Sequence, residues 1–134
     1  MLLSDLTEPE VGRILCYTRY SSVRFDRELL KGTTETFILA VVARTPCHGY
    51  QLVQQLQRRT EGILQLGEGT LYPRLYKLEE KGWIVGRWDT GSTGRRRRIY
   101  RITTRGRRQL AQRATQWAEL ARGMALVLGD TAHA

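Results

Sequence analysis

The stretch from residue 70 to residue 102 constrains the fold more than any other part of the chain. Residues 70–81 have the apolar spacing of an amphipathic helix, and residues 83–88 alternate as a strand does. A turn segment rich in glycine, serine and threonine follows, then four consecutive arginines at 95–98, and the last two of these begin a second strand pattern, Arg97–Ile102. The order helix, strand, basic turn, strand is typical of a winged helix-turn-helix domain.

The positive charge of the chain is concentrated around this hairpin. The net charge is +9, and 19 of the 22 basic residues are arginine, since only positions 31, 77 and 81 are lysine. Residues 90–118 contain nine arginines and no aspartate or glutamate. Because arginine forks suit phosphate oxygens and base edges, the pattern indicates a DNA-binding surface. A solvated basic face is the simpler alternative; a membrane-surface helix is disfavoured because no Trp/Phe/Leu face accompanies the arginines.

Composition and motifs exclude several classes of protein. A chain of 134 residues with 41% apolar content predicts one soluble domain with a short appendage. Cys16 and Cys47 are too few for a disulfide framework or a zinc quartet, so we expect no metal and no cofactor. No phosphate-binding loop or catalytic cluster is found, so we expect no enzymatic activity. Without an apolar leader or a run of roughly 20 apolar residues, the chain is predicted to be cytoplasmic and not membrane-bound.

Two helices are predicted before the segment at 70–81. Thr33–Arg44 is apolar on most of its circumference and is followed by the stop signal Thr45-Pro46. The next helix begins near His48, which is expected to cap or pack locally, and ends near Arg59. Tyr50, close to the start of this second helix, is a candidate phosphate donor.

The third helix is predicted to expose its N-terminal half. Thr70 is the expected N-cap, and Pro73 then falls in the first turn, where its missing N–H costs nothing. A leucine stripe faces the core, and the opposite side is slim enough to enter a major groove roughly 12 Å wide. For Tyr72, packing beside Leu71 is an equally open alternative, and for Lys77 simple solvation is the alternative. The candidate DNA contacts are Tyr50, Thr70, Tyr72, Tyr76, Lys77, Arg95, Arg96 and Arg97.

Alternation along the hairpin divides the four arginines between two sides. Arg95 and Arg97 are predicted to point opposite to Arg96 and Arg98, so at most two or three can contact DNA together. We therefore expect one arginine to pair with a carboxylate such as Glu79, Glu80 or Asp89.

A long final helix is predicted over Thr104–Leu128, with Thr103 as its N-cap. Its apolar positions follow the 4, 3, 4, 3, 4 spacing of a heptad seam: Leu110, Ala114, Trp117, Ala121, Met124 and Leu128. A seam needs a partner helix. We expect homodimerisation through it, because a core of about 70 residues already has three helices and a hairpin to bury; packing within one subunit is the alternative.

Several motifs in this order resemble the PadR family of bacterial transcriptional regulators. They are Glu28-Leu29-Leu30-Lys31-Gly32-Thr33, His48-Gly49-Tyr50, Gly69-Thr70-Leu71-Tyr72-Pro73, Gly82, the wing arginines, Tyr100-Arg101-Ile102-Thr103 and Gly106. The resemblance covers residues 27–117. It departs from the family pattern at Gly67-Glu68-Gly69, where Ser-Pro-Gly is usual, and at Ile99, which replaces the first of two tyrosines.

The resemblance implies a mainly α fold with a small β-hairpin: a winged helix-turn-helix with a C-terminal dimerisation helix. It also implies a sequence-specific double-stranded-DNA-binding repressor that acts as a homodimer on palindromic operators. In some family members a tryptophan on the last helix lines a ligand site, so Trp117 is a candidate for binding a small-molecule inducer, with filling of the dimer interface as the simpler role. A winged-helix module for protein interaction or RNA binding is the alternative function.

The expected organisation has four parts. Residues 1–26 form an extension of uncertain order, residues 27–103 the winged helix-turn-helix domain, residues 104–128 the dimerisation helix, and residues 129–134 a disordered tail.

Overall fold

Five helices and three short strands form the described part of the chain, which in the computed structural model comprises residue 25, residues 27–91 and residues 94–129. The elements in chain order are α1 (Arg27–Leu30), α2 (Thr33–Arg44), β1 (Cys47–His48), α3 (Gly49–Arg59), α4 (Glu68–Glu80), β2 (Ile84–Asp89), β3 (Arg97–Ile102) and α5 (Thr104–Leu128). The fold is mainly helical with a small antiparallel sheet, as a winged helix-turn-helix requires. The predictions for residues 1–24, for residue 26, for residues 92–93 of the turn and for residues 130–134 lie outside the described residues.

The hydrophobic core lies where α2, α3 and α4 pack against the sheet. The predicted leucine stripe of α4 is fully buried, and Leu64 and Leu66 in the connector before α4 are buried beside it. Each buried leucine contributes about 1.5–3 kcal/mol relative to an exposed one. The core therefore holds α4 by one face only, which leaves its opposite face open. The buried stripe consists of Leu71, Leu75 and Leu78.

The start of α4 differs from the prediction. The helix begins at Glu68, and its N-cap is Gly67, which makes no side-chain cap. The Gly67 carbonyl oxygen already accepts from the N–H groups of Thr70 and Leu71, at 3.1 and 3.0 Å. Thr70 is therefore the third helical residue, and its predicted N-cap role is wrong. Pro73 lies inside the helix, where it has no N–H to donate to the carbonyl four residues earlier.

The end of α4 follows the prediction that Gly82 stops it. Gly82 has a positive φ of 75°, and its N–H donates to the Glu79 carbonyl oxygen while the Trp83 N–H donates to that of Leu78. These two bonds form a Schellman motif. Because Trp83 takes part in the motif, β2 begins at Ile84, one residue later than the alternation predicts.

The sheet has three strands, in the order β1-β3-β2, rather than the hairpin alone that the sequence predicts. The hairpin pairs β2 with β3, with Ile84 opposite Ile102 and Asp89 opposite Arg97. The additional strand, β1, pairs Cys47 with Tyr100 and His48 with Ile99. It places the start of α3 directly beside the wing.

The buried carboxylate of Glu35 on α2 forms ion pairs with residues of α5 and of the end of α4. The Glu35 side chain is only 7% exposed; it accepts from Lys81 Nζ at 3.1 Å and forms an ion pair with Arg113 Nη1 at 3.4 Å. Both cations also lie over the Trp83 ring, 4.6 and 4.9 Å from its centroid. An unpaired buried carboxylate costs several kcal/mol, so the contact between Glu35 and Arg113 favours one orientation of α5 relative to α2.

The start of α5 is packed tightly against the turn before β2. Thr103 caps the helix as predicted: its hydroxyl accepts from the Gly106 N–H at 3.0 Å and donates to the Gly82 carbonyl oxygen at 2.7 Å. Gly106 lies so close to the Trp83 carbonyl oxygen that a Cβ there would collide with it. Only a glycine allows this approach.

Candidate nucleic-acid interface

The beginnings of α3 and α4 and the basic end of the hairpin line one groove. Five of the predicted DNA contacts meet there: Tyr50, Tyr72, Arg95, Arg96 and Arg97. The fourth wing arginine, Arg98, lines the same groove, together with five residues that sequence reasoning did not assign to the interface: His48, Gly49, Glu68, Trp88 and Tyr100. The groove is therefore strongly cationic, with aromatic rings on its sides.

The outward face of α4 lies next to this groove. Thr70, Tyr76 and Lys77 are exposed, with Tyr76 68% exposed, but they do not line the groove itself. Tyr50 on α3 is 57% exposed. The exposed face of α4 and the groove both present aromatic and cationic groups, and the buried leucine stripe keeps that face of α4 turned away from the core.

Tyr72 contacts the start of α3. A Cβ built on Gly49 would lie 2.5 Å from the Tyr72 hydroxyl oxygen, so the glycine makes room for the ring. Tyr72 is nonetheless 44% exposed. Its ring thus joins α4 to α3 and presents one side to the groove, instead of packing into the core beside Leu71.

His48 caps α3 and also contacts the wing. Its Nδ1 accepts from the Gln51 N–H at 3.3 Å, and the Gln51 side chain accepts from the His48 N–H at 3.2 Å, which completes a capping box. Arg97 Nη1 lies 3.1 Å from His48 Nε2. Burial, and secondarily the charge of Arg97, lower the pKa of His48, so the neutral ring is favoured.

The hydrogen bonds around His48 are one acceptor short. A neutral imidazole has one N–H and one acceptor nitrogen, whereas both the Gln51 N–H and the Arg97 guanidinium point at it. Whichever tautomer forms, one nitrogen of the ring faces another donor. An anionic oxygen placed between His48 and Arg97 would accept from both.

Arg98 contacts α4 instead of solvent. Its Nε and Nη2 donate to the two Glu79 carboxylate oxygens at 3.2 and 2.8 Å, which confirms that one wing arginine pairs with a carboxylate. The hydrogen bond to Glu79 raises the pKa of Arg98. Burial, and then the Glu79 charge, raise the pKa of the neighbouring Tyr100. The geometry is the bidentate fork typical of arginine and carboxylate.

Trp88 supports the wing from the β2 side. The ring is 59% exposed, and the guanidinium carbons of Arg96 and Arg98 lie 4.9 and 5.5 Å from its centroid. Both distances are within the range of a cation–π contact. The alternating pattern places Trp88 on the same face as the buried Ile84, but at this end of the hairpin the core has ended. The available sequence signal was a tryptophan on the strand that pairs with the arginine run.

The predicted dimer seam runs along the outside of α5. Leu110 is partly buried against the core, whereas Ala114, Trp117, Ala121 and Met124 are exposed in the single chain. Trp117 also lines an apolar groove of about 430 Å³ between α5 and α2. Other apolar residues that line it are Phe25, Leu29, Leu30, Phe37, Ala40, Leu110 and Ala114.

Residue 25, residues 27–91 and residues 94–129 contain no group of three or more His, Cys, Asp or Glu side chains that could hold a metal ion. None of the helices described here is both long and apolar enough to cross a membrane. Burial raises the pKa of the Cys47 thiol to about 11, which makes it a poor nucleophile.

Comparisons with known proteins agree on one family. The model of the transcriptional regulator PadR-like family matches residues 38–112. The chain is 36% identical to the transcriptional regulator Rv3488 of Mycobacterium tuberculosis over 107 residues. The aligned region covers 80% of this chain and 94% of that protein. A PadR family transcriptional regulator structure from Eggerthella lenta has a TM-score of 0.66 and 33% identity, covering 76% of this chain and 87% of the other. One from Clostridium difficile has a TM-score of 0.66 and 28% identity, with 73% and 100% covered.

Proposed function

This chain belongs to the PadR-like family of transcriptional regulators, and from that membership we propose that it binds double-stranded DNA sequence-specifically as a homodimer and represses transcription at palindromic operators. Members of the family are transcriptional regulators and not enzymes. Acting on the chromosome, the protein would work in the cytoplasm.

One observation carries the proposal: the wing arginines and the N-terminal ends of α3 and α4 line a single cationic groove. A helix held by one face can enter the major groove, while guanidinium groups on a neighbouring hairpin reach phosphates or the minor groove. In this arrangement Tyr76 and Lys77 contact base edges, and Tyr50, Thr70 and Tyr72 contact phosphates. The missing acceptor between His48 and Arg97 is supplied by a phosphate oxygen.

The homodimer is supported by the unpartnered seam of α5. Trp117, Met124 and the neighbouring Leu120 are each more than half exposed in the single chain, along a helix of 25 residues. A second copy of α5 would cover them, and a two-fold axis between the copies would present two α4 helices to the DNA. We propose the partner seam as the group that covers Trp117. A small-molecule inducer in the groove beside it is the other occupant to be tested.

The proposal is tested with duplexes from the region upstream of the protein's own gene. Binding should be specific over random duplex, and the logarithm of the binding constant should fall with the logarithm of salt concentration by about 0.9 per neutralised phosphate. A footprint should show two half-sites about one helical turn apart. Equal affinity for random duplex would contradict sequence-specific binding. Tighter binding to RNA would favour the RNA-binding alternative, and a single half-site would contradict the palindromic operator.

A further inference from the structure

The four wing arginines have unequal surroundings. Arg95 has no hydrogen-bond or ion-pair partner among the described residues, and Arg96 lies over the exposed ring of Trp88. Arg98 instead directs its fork away from the wing surface and into α4, where both Glu79 oxygens accept from it. The Arg98 and Glu79 side chains are 32% and 25% exposed. Two of its five N–H donors are committed to Glu79, so the side-on fork formed by Nε and Nη2 is not free for a phosphate.

Gly86 on β2 makes this contact possible. A Cβ built there would lie 2.6 Å from Arg98 Nε and 2.9 Å from Glu79 Oε1, closer than real Cβ atoms approach such atoms. Gly86 pairs with Tyr100 across the hairpin, so the Arg98 side chain crosses the neighbouring strand at this bare position to reach α4. The glycine, the fork and the carboxylate therefore act as one unit.

We propose that Glu79, Gly86 and Arg98 form a latch that sets the position of the wing relative to α4, so that Arg98 determines DNA specificity without touching DNA. The inference rests on the proposed function. Glu79 is on the helix that enters the major groove, and Arg98 is on the strand that follows directly from Arg95–Arg97. The latch sets the distance between the base contacts of α4 and the flanking groove that the wing reaches.

The latch has a specific consequence for sequence preference. Narrow minor grooves at A·T tracts attract guanidinium groups more strongly than wider ones do, but only if the guanidinium is held in line with the groove. A wing that is free to move can still find phosphates, which every sequence offers. Loss of the latch should therefore reduce discrimination between A·T and G·C flanks while leaving binding to random duplex nearly unchanged.

The experiment compares two neighbouring carboxylates. Glu79→Gln and Glu80→Gln remove the same charge from the same helix, but Glu80 is exposed and its side chain has no hydrogen-bond or ion-pair partner in the described part of the chain. Charge alone predicts that both variants bind DNA more tightly. The latch predicts that Glu79→Gln lowers the affinity ratio between A·T-flanked and G·C-flanked operators by about fivefold, near the lower end of the effect of one base pair. Glu80→Gln should leave the ratio unchanged.

Arg98→Ala and the double variant complete the cycle. If Arg98 acts through Glu79, Arg98→Ala lowers the same ratio, and Arg98→Ala with Glu79→Gln lowers it no further. Gly86→Ala should lower it as well. If Arg98 instead contacts a phosphate directly, Glu79→Gln frees the Arg98 side chain and strengthens binding to all duplexes. Arg98→Ala then weakens binding to all duplexes and flattens the salt dependence of the binding constant. That opposite pair of effects would overturn the latch.

A spectroscopic measurement on the full-length protein tests the latch independently of any DNA. The Arg98 Nε–H resonance should be resolved in the ¹H–¹⁵N spectrum at neutral pH, lost in Glu79→Gln and kept in Glu80→Gln. In the complex with operator DNA it should remain at its DNA-free position. A missing resonance in the wild-type protein would refute the latch even if the operator is bound specifically; a resolved resonance without specific binding would refute only the proposed function.

Discussion

At the scale of single residues, His48 shows how one side chain joins two parts of the interface. Its Nδ1 caps α3 and its Nε2 lies against Arg97, and the neutral ring is needed for the cap. A protonated ring has no acceptor, so both contacts then place donor against donor.

Thr70 differs from His48, because its side chain is well suited to capping a helix but does not cap α4. The Gly67 carbonyl oxygen already accepts the first helical bonds.

The pH dependence of stability should report on His48. Its pKa is lowered in the folded protein from the ordinary value of 6.5, so the unfolded chain binds the proton more readily. The contribution of His48 is complete above pH 6.5 and is lost as the pH falls through 6.5 toward the lower folded pKa. His48→Ala should be less stable than wild type by about 1 kcal/mol at neutral pH, the typical value of an N-cap. The difference should shrink as the pH is lowered.

Urea unfolding of the wild-type protein and of His48→Ala at a series of pH values measures the difference in their free energies of unfolding. The difference between wild type and His48→Ala isolates His48 from His133, which is present in both proteins. A difference that is constant with pH, or that grows on acidification, would show that protonation does not break the cap.

At the scale of elements, the wing combines a regular hairpin with an irregular distribution of contacts. β3 follows its predicted bounds, Arg97–Ile102, and buries Tyr100 while exposing Arg101, as alternation requires. The partners of its arginines do not follow from alternation, because they come from α4, from β1 and from β2. The wing thus holds Arg97 and Arg98 against the domain and leaves Arg95 and the Trp88-supported Arg96 toward solvent.

Removing both outer guanidinium groups should weaken binding to every duplex. Arg95→Ala with Arg96→Ala should reduce the magnitude of the salt slope by up to about 1.8, since each lost phosphate contact contributes about 0.9. The preference for the operator base pairs read by α4 should persist. Arg122→Ala, an exposed change on α5, is the control and should leave the slope unchanged. An unaltered slope in the double variant would remove the wing from the phosphate contacts.

At the scale of the whole molecule, α5 determines how two copies would meet. Its first turns are fastened to the domain by Thr103, Gly106 and the contacts of Arg113 with Glu35, Gly32 and Trp83. Its last turns are exposed, with apolar residues beyond the seam at Leu126 and Val127. A dimer joined by the exposed half would transmit its geometry to α4 through the fastened half.

A charge placed in the seam should separate the proposed dimer. Met124→Glu would bury an unpaired carboxylate, which costs several kcal/mol, so we expect dimerisation at least about a hundredfold weaker. Gln116→Glu adds the same charge at an exposed position off the seam and should dimerise as wild type does. Sedimentation over a range of concentrations measures both. A Met124→Glu variant that stays dimeric would place the interface elsewhere.

The sequence by itself determined the elements whose signals are local. The bounds of α2, β3 and α5 agree with the predicted ones, because apolar periodicity, the Thr45-Pro46 stop and the Thr103 cap lie within or beside each element. The leucine stripe of α4 and the Gly82 stop were also predictable, since a helix repeats every 3.6 residues whatever surrounds it.

Only the tertiary structure decided which residues from distant segments meet. The strand β1 is two residues long, and its partner lies about fifty positions later, so no periodic pattern could reveal it. Glu35 meets Lys81 and Arg113, and Arg98 selects Glu79 over Glu80 and Asp89, because packing brings those atoms within bonding distance. The residues next to a charged side chain in the sequence do not indicate which distant residue it will pair with. Part of the lining of the groove could therefore be predicted from the sequence, whereas which of its arginines have partners on α4 and β1 was decided by the tertiary structure.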